Sequence, residues 1–239
     1  MTPPADVATL ERVRSLQERV RQVQGTRPAS TPVDTLPALS GLLPGGTLHA
    51  GGTYTVSGSS TLAAALAAGA SQAGAWCAVV GVPTFGAEAA AALGVDLART
   101  VVLPDPGDSW LPATQALVDV LGVVVLRPPS RVREGEAARL AARLRQRGAA
   151  LVVLGDWPRP DVRLEVVGGA WVGLGVGHGR LAARRATVRA TPRSGRPRQL
   201  DLWLPGPDQQ VSLVSPHAAR ADGPGESASP LSPVREMAS

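Results

Sequence analysis

Short apolar runs recur through the middle of the chain, and each but the last is followed by a stretch long enough for one helix. Thr53–Ser57, Cys77–Val82, Thr100–Leu103, Gly122–Leu126 and Ala150–Leu154 are the runs, most of them dominated by valine, leucine and alanine. Their length and near-continuous apolar character predict strands buried on both faces. The intervening segments 60–72, 86–93, 111–120 and 134–147 carry helical spacing. In the last of them Ala137, Leu140, Ala141 and Leu144 fall on one face and Arg139, Arg143 and Arg147 on the other, which reads as a core-facing stripe backed by a solvated arginine row. Alternation of this kind predicts an α/β fold with a mostly parallel sheet flanked by helices.

After residue 160 the period changes. Val162–Val167, Trp171–Val176, Arg180–Ala190 and Arg198–Leu204 read as strands joined by turns, an antiparallel meander on the C-terminal edge of the sheet. The folded domain is thus expected over 36–205. Ahead of it, residues 1–25 form an N-terminal helix with Val13, Leu16, Val20 and Val23 at heptad-like spacing, and 26–35 read as a linker. That valine stripe fits two roles: packing on the chain's own core, or docking on another chain, self-association included. Residues 206–239 are rich in Pro, Ser, Ala and Gly and are expected to be a disordered tail. Leu231 and Val234 are apolar positions within that tail, suited to a partner contact or simply part of a solubilising end.

Composition changes this picture at one point. All 24 Lys+Arg positions are arginine, since the chain contains no lysine. A formal net charge of +5 and a pI near 11.0 permit an acidic partner without requiring one. The single cysteine, Cys77, sits in an apolar run and excludes an intrachain disulfide, which suits a reducing compartment. With no signal pattern and no apolar run near 18 residues, a cytoplasmic protein without membrane contact is expected.

The absence of lysine bears on the candidate chemistry. Strand Thr53–Ser57 runs into a glycine turn at Gly58, and Ser59, Ser60 and Thr61 open the next helix. This is the layout of a phosphate loop. Such a loop needs a lysine on the β/γ-phosphates and a glycine-rich cradle of amides. Here the cradle is shortened, its second glycine is gone, and no lysine exists to serve it. The serines are better suited to capping the helix than to acting as nucleophiles, because G-x-S-x-G is not present.

Together, Leu39–Thr47, the Gly58 turn, the Leu93-Gly94-Val95-Asp96 stretch and the strand Gly122–Leu126 resemble, in order, the RecA-like core. The resemblance places Gly122–Leu126 at the Walker B strand, where an aspartate should follow; Arg127 stands there instead. An arginine cannot hold Mg²⁺. The connections after Leu126 and Leu154 are also too short for the two DNA-binding loops of a recombinase. A RecA-like core without either device is similar to the ImuA-type accessory proteins, and most to their ImuA-prime branch. The resemblance implies a non-catalytic pseudo-ATPase in the DNA damage response. Its role would be to support SOS mutagenesis and translesion synthesis by binding the polymerase-like protein ImuB and, indirectly, an error-prone replicative-type polymerase. DNA binding would be weak or absent. The alternative is a SulA-like inhibitor of cell division, also an ATP-less RecA-like fold.

The remaining residues add no competing chemistry. His49, His178 and His217 form no pair with metal-ligand spacing, so no metal, cofactor or catalytic group is expected. Asp105, Asp108 and Asp119 show no partner arrangement in sequence. The arginines from Arg180 to Arg198 fit ordinary hairpin surface or a phosphate-contacting edge, with no aromatic residue interleaved. Trp110 and Trp157 lie just past strand ends, where they serve either a partner-binding rim or the cover of the sheet.

Overall fold

The fold is given by a computed structural model, which describes residues 11–15, 18, 32–174 and 179–214. It is α/β, as the alternation predicts. Among these residues the strands are β1 (Thr53–Ser57), β2 (Cys77–Val80), β3 (Thr100–Leu103), β4 (Val123–Leu126), β5 (Ala150–Leu154), β6 (Val162–Leu174), β7 (Gly179–Pro192), β8 (Arg198–Trp203) and β9 (Ser212–Leu213). The helices are α1 (Ser60–Gln72), α2 (Ala87–Ala92), α3 (Trp110–Val118) and α4 (Glu134–Arg147). They form one nine-stranded sheet in the order β3-β2-β4-β5-β1-β6-β7-β8-β9. β3 through β6 in that order pair in parallel, and β6 to β9 antiparallel.

Crossover handedness decides which helix covers which face. From β1 the chain moves one way along the sheet through α1 to β2 and α2 to β3, then returns through α3 and α4 to β4 and β5. Right-handed crossovers in opposite directions put the two helix pairs on opposite faces. The core divides accordingly. Leu62 and Leu66 of α1 pack with Val56, Val125 and Leu164 on one face, and Leu117, Leu140 and Leu144 of α3 and α4 pack with Leu126 and Val153 on the other. Each such leucine is fully buried and contributes about 1.5–3 kcal/mol.

β1 sits between β5 and β6 and is closed at its start by a local lock. The Thr53 amide donates to Asp161 Oδ2 at 2.8 Å, and the Asp161 amide donates back to the Thr53 carbonyl at 2.8 Å. One residue on, the Tyr54 hydroxyl is buried and accepts the His49 amide at 2.6 Å. α4 is closed at both ends: Glu136 accepts the Arg133 amide at 2.8 Å, and Gly148 takes up a left-handed φ of 69° just past the last turn.

Four expectations need correction. The separate strands Val162–Val167 and Trp171–Val176 are one continuous β6, bent by a register shift between Val166 and Gly168 rather than ended by a turn. The folded part runs past 205, because β9 pairs with β8 through Leu202↔Leu213 and Trp203↔Ser212. It also begins inside the expected linker, where Val33 is buried and bridges Leu48. Finally, Asp119 does have partners. Its carboxylate lies only 9% exposed beyond α3 and takes a two-pronged contact from Arg143 of α4, with Arg147 adding a third bond at 3.2 Å. Two members of the arginine row thus hold α3 to α4 instead of simply facing water.

Two stability predictions follow from these contacts. Asp119→Ala should lower stability by about 1–2 kcal/mol, the figure for charge-assisted bonds discounted because both arginines are more than a third exposed. The loss should shrink at high salt, as read by urea denaturation.

Tyr54 gives a pH dependence. Burial, against the lowering effect of the His49 amide, and the nearby Asp161 charge push its hydroxyl up to about 12 from 10.0. Above pH 10 the unfolded chain loses this proton while the folded chain keeps it, so the contribution is complete below about 10 and is lost on the way to about 12. The slope is about 1.4 kcal/mol per pH unit. With no lysine titrating in this range, the alkaline loss should be clearly shallower in Tyr54→Phe, measured by denaturation at stepped pH.

Candidate functional site

The C-terminal ends of the parallel strands meet on one rim, the place where open α/β sheets bind ligands. β1 ends at Ser57 and turns at Gly58, whose φ of +79° is a conformation that side chains other than glycine rarely adopt. The Ser59 hydroxyl then accepts the Leu62 amide at 3.1 Å and caps α1. Only Gly58 and Ser59 separate strand from helix, so the turn is tight and offers no extended cradle.

Arg127 reaches the same place from β4. Its carbonyl comes so close to Gly81 at the end of β2 that a Cβ there would lie 2.1 Å from it. Glycine at 81 is therefore what lets the two strand ends approach and sets where Arg127 leaves the sheet. The outcome is one crevice of about 540 Å³, lined by Gly58, Ser59, Ser60, Thr61, Arg127 and Gly155. The Gly58–Thr61 turn and Arg127 are thus neighbours in space, and Arg184 of β7 completes the wall.

Arg184 belongs to the arginine run that the sequence offers as a phosphate-contacting edge, and it brings a residue that the sequence pattern missed. β6 and β7 pair Trp171↔Arg184, and the guanidinium lies over the indole ring, 5.9 Å from its centroid. Cross-strand pairing therefore supplies the aromatic partner that the arginine run lacks in linear sequence. Counting outward from Val162↔Pro192 with one bulge between Val166 and Gly168 would have found it.

Other predicted residues are not brought to this crevice. Trp110 and Trp157 are 7% and 4% exposed and belong to the core on the α3/α4 face, so they cover the sheet rather than forming an open rim. Val13, 2% exposed, packs into that same core, which withdraws it from any partner surface. Leu16, Val20 and Val23 lie outside the described residues, as do Leu231 and Val234 of the tail and the histidines His178 and His217.

Two other hollows adjoin. A wide one lies between the connection Pro128–Glu134 and the connection Gly155–Pro158, with Arg131, Arg133 and Arg163 set against Glu134 and Asp156. The other, about 220 Å³, lies between α1 and α2 and is mostly apolar, with Cys77, Val79, Phe85 and Ala90 among its walls. Among the described residues no group of three His, Cys, Asp or Glu side chains could hold a metal ion. No described helix is long and apolar enough to cross a membrane.

Comparison with known proteins covers the parallel body of this fold. Residues 41–159, from just before β1 to just past β5, match the MT3502 N-terminal domain family. The chain is 38% identical over 133 residues to the uncharacterized protein Rv3395c of Mycobacterium tuberculosis. That similarity takes in 55% of this chain and 63% of the relative, so the chain spans less than two thirds of the length of the protein it matches.

Proposed function

We propose that this protein is a non-catalytic, RecA-like adaptor of the ImuA type, acting in the cytoplasm in damage-induced translesion synthesis by binding an ImuB-like, polymerase-family protein. The observation that carries this reading is the crevice at the end of β1. A tight turn and a helix start stand where the RecA-like reading puts a phosphate loop, and Arg127, in that reading at the place of the metal-holding acid, lines the same crevice. The lysine that would neutralise a triphosphate exists nowhere in the chain. A site with neither cation-binding acid nor phosphate lysine lacks the parts that hold and polarise Mg-ATP.

Further support comes from the short connections. Arg127–Arg133 joins β4 to α4, and Gly155–Asp161 joins β5 to β6. Neither has the length of a loop that would wrap a DNA filament, so in this reading contact with DNA is auxiliary, weak and salt-dependent. In this reading the segments beyond the described residues engage a protein partner. The tail keeps Leu231 and Val234 in an otherwise polar stretch, a composition suited to ordering on contact.

Two experiments test this. Isothermal titration with Mg-ATP should give no stoichiometric heat, and a Mg-dependent isotherm would refute the pseudo-ATPase. Deleting residues 215–239, which leaves β9 and its pairing in place, should abolish co-purification with the ImuB-like protein while leaving thermal unfolding unchanged. Undiminished co-purification would put the interface on the folded body.

A further inference from the structure

The β6–β7 hairpin carries features that the adaptor reading does not use. From Val167 to Gly173 every residue of β6 is exposed, on both faces of the ribbon. Trp171 is 48% exposed, an unusual state for an indole in a well-packed sheet. It does not stand alone: Arg184 lies over its ring and also lines the crevice, with Arg127 on the other side. Arg127 and Arg184 share that crevice with Ser57, Ser59, Ser60 and Thr61, and among the described residues no carboxylate lines it. The only carboxylate in β6 and β7 is Glu165, paired with Arg189. Its neighbour Val166 packs on the α1-side core, so strand alternation puts Glu165 on the other face.

We propose that Trp171, Arg184 and Arg127 form a subsite for single-stranded nucleic acid, with an unpaired base stacked on the indole and the adjoining phosphodiester held between the two guanidiniums. The chemistry selects this ligand. A flat, half-open aromatic surface beside paired arginines is what single-strand binding combines: a stacking platform and a backbone clamp. A phosphodiester carries one charge and needs no metal, so a crevice without Mg²⁺-holding acid or lysine suits it where it does not suit a triphosphate. The planar arginine fork matches phosphate oxygens, and the exposed ring requires a base free of its stack, which disfavours duplex. Nothing in this depends on a protein partner, so it stands or falls separately from the adaptor reading.

The test uses the full chain and a fluorescein-labelled oligothymidylate of about 20 nucleotides, followed by anisotropy at low salt and again at raised salt. The oligonucleotide should bind weakly, and Trp171→Ala and Arg184→Ala should each weaken binding about tenfold. Trp171→Phe should keep most of the affinity, whereas Arg139→Ala, an exposed arginine on α4 across the sheet, should change it by less than about twofold. Excess AMP should not displace the strand. An oligonucleotide carrying 5-iododeoxyuridine should photo-crosslink to residue 171, which reads the contact without any substitution. No binding at low salt, wild-type affinity in both alanine variants, an equal loss in Arg139→Ala, displacement by AMP, or crosslinks elsewhere would each overturn the proposal. If the alanine variants bind DNA normally but lose the ImuB-like protein, the hairpin is a protein interface and the proposal fails in that direction.

Discussion

The position of β1 between β5 and β6 is the constraint on which the other features rest. Parallel pairing on both sides, in registers running from Thr53↔Leu151 and from Tyr54↔Val162, fixes where β1 ends relative to its neighbours. The Thr53–Asp161 exchange of hydrogen bonds holds that register at one end, so Gly58 emerges beside Gly155 and Val166 at the other. A slip of one residue would send the side chains of β1 to the wrong faces of a sheet that is buried on both. It would also carry the Gly58 turn away from Arg127. The crevice is therefore a consequence of strand register more than of any loop of its own.

That dependence bears on what the crevice can hold. Its charge comes from arginines anchored in two strands, β7 and the end of β4, which approach from opposite sides. Guanidinium groups favour planar, two-pronged contacts. A lysine at the helix start would instead provide a compact point charge at the β/γ-phosphates. Arginines thus give the site a different anion geometry from the one a lysine would give it.

What the sequence reveals follows the range of the interactions involved. α1 and α4 begin and end at the residues that their apolar spacing indicates, 60–72 and 134–147, because periodicity and end chemistry are local signals. The parallel strands are equally plain, since burial on both faces leaves an unbroken apolar run. The misread features are those that need a partner distant in sequence. Gly168 and Gly169 look like a turn until β7 is laid alongside, when they pair with Thr187 and Ala186 just past a bulge in one long strand. Asp119 looks isolated until α4 packs on α3, 24 residues away along the chain. Trp110 and Trp157 stand past strand ends in the sequence, but only packing shows that the N-terminal segment and α4 enclose the same core.

The same reasoning explains why the crevice was half legible. Gly58, Ser59, Ser60 and Thr61 announce themselves because a strand, a glycine and a helix start are contiguous. Arg127 follows from its place after β4. Arg184 and Trp171 contribute only through antiparallel pairing, in which a single bulge reassigns every residue beyond it to the opposite face. Without the register shift after Val166, Trp171 would fall out of step with Arg184 and the indole would point away from the α1 side. The shift at Gly168 therefore does more than bend the hairpin. It turns an arginine-rich edge into a surface where charge and an aromatic ring face the rim of the parallel sheet together.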